Sequence, residues 1–214
     1  MLLLAMADGL RSAVHGMTSS VSTPLDDAAL LDRAMDRYAQ GEDAAFEEVY
    51  DRLAPRLHGF LLRQTRDRAR AEDVVQQTML RIHRARSRFE PGARVLPWAF
   101  AIARRLLVDS HRRGKREVLA ELEEDDVAST LASLDAPADD VAIARELAER
   151  IHAELDRLPE NQRVAFALLK QEGLSVAEAA ETLGTTASAV KLRAFRAYEA
   201  LRAALGLARE EEKG

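Results

Sequence analysis

The chain has 214 residues, with 47% hydrophobic and 31% charged side chains and no cysteine. It is too apolar to be wholly disordered, and its length allows one large domain or two small ones. No apolar run reaches the roughly 18 residues of a membrane span and no export signal is evident, so we expect a cytoplasmic protein without membrane insertion. The absence of cysteine excludes disulfides and thiolate metal sites. The five histidines are scattered and do not have the spacing of metal ligands, so we expect no metal and no cofactor.

The net charge of −5 hides an uneven distribution. Residues 41–117 carry 17 basic and 11 acidic side chains, whereas residues 118–146 carry 1 basic and 9 acidic side chains. Such asymmetry points to a polyanionic partner for part of the chain. The sequence therefore favours a basic body followed by an acidic segment.

The first half of the chain predicts a small helical bundle. Alanine, leucine, arginine and glutamate dominate and no stretch alternates apolar with polar residues, so we predict an all-α fold. Residues 1–25 resemble a disordered leader, in which Met1 or Met17 could be the true start. The bundle is predicted over 26–117, and its helices are expected at about 26–39, from about 43 with a kink or break at Pro55, at about 71–86 and at about 97–113.

The second half predicts a second small helical domain behind a linker. Residues 118–140 are acidic and contain many small side chains, which is typical of a solvated tether. Apolar residues then recur at helical spacing over about 143–158, and a further helix is expected over about 161–171. The second domain is predicted over 141–208, with a charged tail at 209–214.

The most informative stretch predicts a helix-turn-helix. Ser175 and Glu178 have the spacing of a capping box that opens a helix, and Gly184 supplies the positive φ of a sharp turn. Thr186 can cap the second helix, whose outer face offers Ser188, Lys191, Arg193 and Arg196. Such a face suits the major groove, where arginine can bind guanine and lysine can bind phosphate. A plain antiparallel helix pair with a solvated cationic face is the alternative at this point.

Several separated motifs together resemble one family. The order of these motifs resembles that of the extracytoplasmic-function (ECF) group of bacterial RNA polymerase sigma factors. The motifs are residues 71–85, residues 96–109, the segment Leu158-Pro159-Glu160-Asn161-Gln162-Arg163 and the helix-turn-helix. The resemblance covers about 26–117 and 141–205. It implies two helical domains: one binds polymerase and the downstream (−10) promoter element, and the other binds the upstream (−35) element.

The resemblance also implies a polymerase-docking helix around the Asp-x-x-Gln pattern. Asp73, Gln77, Leu80 and Arg84 fall on one stripe, opposite a buried stripe, as a docking helix requires. Gln77 stands where many relatives have glutamate, so one charge of the expected contact is missing. The residues expected to bind polymerase are Asp73, Gln76, Gln77, Leu80 and Arg84.

Promoter contacts are implied for both domains. Cations after the docking helix can hold the phosphates of a separated strand, and Trp98 could belong either to the core or to the DNA surface. The downstream set is Arg94, Trp98, Arg104, Arg105, Arg112, Arg113, Lys115 and Arg116. The upstream set is Thr186, Ser188, Lys191, Arg193 and Arg196. Leu192 and Phe195 occupy positions where relatives often have polar residues, so the preferred base sequence cannot be transferred.

The predicted function is that of a sigma factor, not an enzyme. Its expected partners are core RNA polymerase, promoter DNA and an anti-sigma factor, with a monomer when free. Strand opening would use binding energy alone, and DNA binding without polymerase is expected to be weak. Two alternatives remain: a sigma mimic that sequesters an anti-sigma regulator, and a conventional helix-turn-helix regulator.

Overall fold

A computed structural model describes residues 24–118 and 150–206, with His152 excepted, and the side chains of 27–110 and 150–206. These residues form helices and turns and contain no strand, which confirms the all-α prediction for this part of the chain. None of the helices in the described ranges is long and apolar enough to cross a bilayer. The predicted start codons, nearly all of the acidic linker and the charged tail lie outside the described residues.

The first body, residues 24–118, contains four helices around one hydrophobic core. The helices are α1 (Pro24–Ala39), α2 (Ala45–Thr65), α3 (Arg68–Ala85) and α4 (Val95–Val118), with a 3-10 turn at Arg86–Arg88. Helix α2 packs against both α1 and α3, and α4 packs against α3. Because each helix presents a continuous apolar stripe, the core is filled by large side chains such as Tyr38, Phe60 and Phe100.

Helix α2 runs through Pro55 as one element, so the predicted break at that residue is not present. Proline removes one backbone hydrogen bond and crowds the preceding turn, which disfavours the helix interior. Here Pro55 is exposed, while Leu53, Ala54 and Leu57 around it are buried in the core. Burial of this stripe therefore outweighs the local cost of the proline.

The second body, residues 150–206, is built around the predicted helix-turn-helix. Its labelled helices are α5 (Glu160–Phe166), which continues as a π-helical turn over Ala167–Gln171, α6 (Val176–Leu183) and α7 (Ala187–Ala204). Residues 153–157 are also helical. Helix α7 packs against α5 and α6, so the pair α6–α7 rests on α5.

The local signals that bound the two helices are confirmed. The Ser175 hydroxyl accepts the Glu178 N–H at 3.2 Å, and the Glu178 carboxylate accepts the Ser175 N–H at 2.7 Å. Gly184 ends α6 in the left-handed conformation with φ 59°, and Thr186 caps α7 by accepting the Ala189 N–H at 3.2 Å. These bonds satisfy groups at helix ends that would otherwise lack partners.

The two bodies are in direct contact. Helix α6 packs against α4, and buried residues of both bodies belong to one continuous hydrophobic core. A smaller core in the second body joins Leu155, Leu158 and Phe166 to Ala197 and Leu201 of α7. The helix-turn-helix is therefore fixed to the first body on one side and to its own supporting helices on the other.

Candidate nucleic-acid interface

Helix α3 has a sharply divided surface. Asp67 starts the helix, since its carboxylate accepts the Arg70 N–H at 3.0 Å. One side of the helix is buried in the core and consists of Ala71, Val74, Val75, Thr78, Met79 and Ile82. The opposite side is exposed and includes all five residues predicted to bind polymerase, namely Asp73, Gln76, Gln77, Leu80 and Arg84.

The exposed face of α3 combines one apolar residue with an ordered polar pair. The Leu80 side chain is 54% exposed, so much of its apolar surface faces water in the free chain. One turn away, the Gln77 amide donates to the Asp73 carboxylate at 2.7 Å. This bond joins residues four apart and orients both side chains along the helix. The face is therefore suited to bind a protein surface.

Two carboxylates on α1 hold the loop that leads into α4. Asp36 accepts the Gly92 N–H at 3.0 Å, and Asp32 accepts the Val95 N–H at 2.9 Å. Asp32 also pairs with the Arg94 guanidinium at 3.0 Å. Because Asp32 satisfies the N–H of the first residue of the helix, α4 begins at Val95, two residues before the predicted start at Pro97.

Trp98 packs against the core and is only partly buried. Its ring lies 5.1 Å from the ring of Phe89, centroid to centroid, and Phe89 is itself buried. The indole of Trp98 is thus packed against the first hydrophobic core and remains partly accessible. Packing explains its position.

The predicted cations of α4 occupy different environments. Arg94 and Arg105 are exposed, whereas Arg104 is half-buried and its Nε has no hydrogen-bond partner among the described residues. The remaining four, Arg112, Arg113, Lys115 and Arg116, lie on the last turns of α4, whose backbone is helical through Val118. Seven of the eight residues of the downstream set therefore lie on α4, and the eighth, Arg94, lies on the loop before it.

The outward face of α7 carries most of the upstream set. Ser188, Lys191 and Arg196 are exposed on the side opposite Val190, Ala197 and Leu201, which are buried. Between the two cations lie Leu192, 50% exposed, and Phe195, 54% exposed. Cationic side chains can bind DNA phosphates, and apolar side chains can contact thymine methyl groups. The composition of this face is therefore compatible with binding in a major groove.

Arg193 lies apart from that face. It is half-buried and lines a cavity of about 320 Å³ together with Arg104 of α4 and residues at the start of α5. Helical spacing explains this, because residue 193 lies about 100° round the helix from Leu192, towards the buried side. Sequence reasoning had grouped Arg193 with the outward cations because it follows the same cationic run.

Two polar contacts join the second body to the first. The Thr182 hydroxyl donates to the Pro97 carbonyl at 3.2 Å, and the capping carboxylate of Glu178 lies 3.6 Å from the Arg94 guanidinium. Both contacts join α6 to the beginning of α4. The predicted downstream surface and the helix-turn-helix therefore meet at the same place.

A buried carboxylate adds a second contact between the bodies. Glu172 is only 6% exposed, and its carboxylate lies 2.7 Å from Arg63 and 3.6 Å from Arg56, both on α2. Burial raises the pKa of Glu172, while the two guanidiniums act in the opposite direction. Burial likewise lowers the pKa of Arg63. Nothing in the local sequence marked Glu172, because its partners are more than 100 residues away along the chain.

The two bodies correspond to known regions. Residues 49–117 match the family model of sigma-70 region 2, and residues 148–201 match the model described as sigma-70, region 4. The chain is thus built from the polymerase- and promoter-binding modules of a bacterial sigma factor. Sigma factors are transcription initiation factors.

Similar proteins show which group of sigma factors the chain belongs to. The chain is 39% identical to the RNA polymerase sigma factor CarQ of Myxococcus xanthus, over 80% of this chain and 95% of CarQ. It is 34% identical to the ECF RNA polymerase sigma factor SigF of Caulobacter vibrioides, over 81% of this chain and 90% of SigF. The chain belongs to the ECF group of RNA polymerase sigma factors, which direct core polymerase to specific promoters and assist strand opening.

Solved structures share the fold. The sigma factor RpoE of Bartonella quintana, solved in complex with the anti-sigma factor NepR, has a TM-score of 0.63 and 25% identity, covering 77% of this chain and 98% of RpoE. CnrH, solved in complex with the cytosolic domain of CnrY, has a TM-score of 0.54 and 23% identity, covering 86% of this chain and 99% of CnrH. The second likeness supports the fold alone.

Proposed function

We propose that this sigma factor divides its work among three surfaces. The exposed face of α3 binds core polymerase, α4 with its preceding loop holds the separated downstream strand, and the outward face of α7 reads the upstream element. The observation that carries the proposal is the division of α3 into a buried stripe and an opposite exposed face, on which Leu80 lies beside the ordered Asp73–Gln77 pair. Strand opening then needs no chemistry from this chain, only tighter binding of the open strand.

The upstream contact is assigned to residues of α7 in two roles. Lys191 and Arg196 bind phosphates, and Ser188 near the helix start contacts the groove; their exposure on the outward face supports these roles. Thr186 acts by capping the helix, which fixes the direction in which this face points. Because core polymerase acts in the bacterial cytoplasm, the proposal also places the chain there.

An anti-sigma factor is the further partner that we propose. Support comes from RpoE of Bartonella quintana, a similar structure solved with the anti-sigma factor NepR. The exposed face of α3 and the outward face of α7 are both available in the described residues. A regulator that covers either face would block polymerase or promoter binding.

The test is run-off transcription with purified core polymerase on genomic fragments. The double variant Gln76→Ala/Leu80→Ala should lose transcription through weaker polymerase binding, measured separately by co-purification. Lys191→Ala/Arg196→Ala should keep polymerase binding but lose promoter choice, and each lost phosphate contact should lower the salt-dependence slope of promoter binding by about one.

A matched control removes two exposed cations of the second body that lie off α7. Arg157→Ala/Lys170→Ala has the same loss of charge as the α7 variant. We expect it to transcribe from the same promoters as the unmodified chain. Equal loss in the control and the α7 variant would contradict the recognition-face assignment.

A further inference from the structure

Two arginines that line one cavity have no partner among the described residues. The cavity measures about 320 Å³ and is lined by Arg104 of α4 and Arg193 of α7, together with the start of α5 and the last residue of α6. Neither guanidinium makes a hydrogen bond or an ion pair within the described ranges. Burial of the Arg104 Nε leaves that N–H without an acceptor there.

Other half-buried arginines show how such side chains are satisfied in this chain. Arg52 pairs with two carboxylates, and Arg56 and Arg63 share the carboxylate of Glu172. Arg70 donates to the Ser110 hydroxyl at 3.0 Å. Among the half-buried arginines in the described part of the chain, Arg104 and Arg193 are the two without a partner, and both line the same cavity.

Unpaired charge in a half-buried position favours an anion. A charged donor that loses water without gaining an acceptor is costly, and a charge-assisted hydrogen bond to an anion offsets that cost. Guanidinium groups match the geometry of phosphate oxygens, to which they can donate two parallel hydrogen bonds. The two arginines are therefore suited to a phosphoryl group.

The rest of the lining sets the size and polarity of the ligand. Val164 and Leu183 contribute apolar surface, and Asn161 contributes a side-chain amide without a partner among the described residues. Glu160 also lines the cavity, but its exposed carboxylate forms no ion pair with either arginine. Ligand pockets measure about 300–1,000 Å³, so this one is at the small end of the range.

We infer that Arg104 and Arg193 form a binding site for a small phosphorylated ligand between α4 and α7. The site goes beyond the proposed function, because neither polymerase nor a promoter takes part in it. A small ligand fits better than a strand of DNA, which needs an open groove that follows successive phosphates. Arg193, which lies apart from the outward face of α7, thereby receives a role of its own.

Isothermal titration calorimetry of the full chain, without polymerase, tests the site. Pyrophosphate and a nucleoside 5′-monophosphate are titrated separately at constant ionic strength, and the tighter of the two shows whether inorganic phosphate or a phosphate ester is preferred. We expect saturable binding at one site. Arg104→Gln and Arg193→Gln should each weaken that binding about tenfold or more, since each removes charge-assisted hydrogen bonds.

Exposed cations elsewhere provide the matched controls. Arg81→Gln on α3 and Lys170→Gln after α5 remove the same charge from positions outside the cavity. Both should bind the probes like the unmodified chain. Glu160→Gln should strengthen binding about twofold or more, because it removes a negative charge from the lining. Such a gain in affinity cannot result from misfolding.

Three results would overturn the site. The first is the absence of saturable binding of both probes. The second is binding that persists unchanged in Arg104→Gln and Arg193→Gln, which would place the anion on another cationic surface. The third is an equal loss in Arg81→Gln and Lys170→Gln, which would show an effect of total charge alone.

Discussion

Truncation of Leu80 is the sharpest test of the polymerase surface. Complete burial of a leucine is worth about 1.5–3 kcal/mol. Leu80 is 54% exposed in the free chain, so docking can bury about half of that value, and Leu80→Ala should lose about 1 kcal/mol of binding free energy. This corresponds to roughly fivefold weaker binding to core polymerase.

The assay is equilibrium binding of labelled protein to core polymerase, measured by fluorescence anisotropy. Leu62→Ala is the control, because Leu62 is also partly exposed, at 37%, but lies on α2. It should bind like the unmodified chain. Wild-type affinity in Leu80→Ala, or an equal loss in Leu62→Ala, would refute the assignment of α3 as the docking helix.

Two further predictions concern the second body. Gly184→Ala should lower the free energy of unfolding by about 1–2 kcal/mol in chemical denaturation. The cost comes from the positive φ alone, since an added Cβ would meet no atom within 4 Å, and unchanged stability would contradict it. Because burial raises the pKa of Glu172 against the pull of Arg63 and Arg56, the folded chain should gain stability as pH falls through that raised pKa and lose it as pH rises. Chemical denaturation recorded across this pH range should show the trend, and Glu172→Gln should abolish it; a trend that persists in Glu172→Gln would assign it to another group.

Two features of the chain are expected to weaken DNA binding in the absence of polymerase. The acidic segment alone predicts electrostatic opposition to DNA. The ion pairs of Arg94 with Asp32 and Glu178 are a second cause of weaker DNA binding, because these carboxylates compete with phosphate for the same guanidinium.

Sequence alone determined the features that depend on near neighbours. The capping box of Ser175 and Glu178, the turn at Gly184 and the exposed stripe around Leu80 all follow from residues within one or two helical turns of each other. Backbone hydrogen bonds and helical periodicity act over this range, and so they can be predicted from a single stretch of chain. The order of the motifs along the chain also indicated the family.

Tertiary structure decided everything that depends on distant partners. Pro55 stays inside one helix because core burial on either side of it outweighs its local cost. Arg193 is half-buried and lines a cavity together with Arg104 of α4, and Glu172 reaches Arg63 across 109 residues of chain. The physical reason is that these outcomes depend on how two apolar faces pack together, and many pairings of such faces are compatible with the same local pattern.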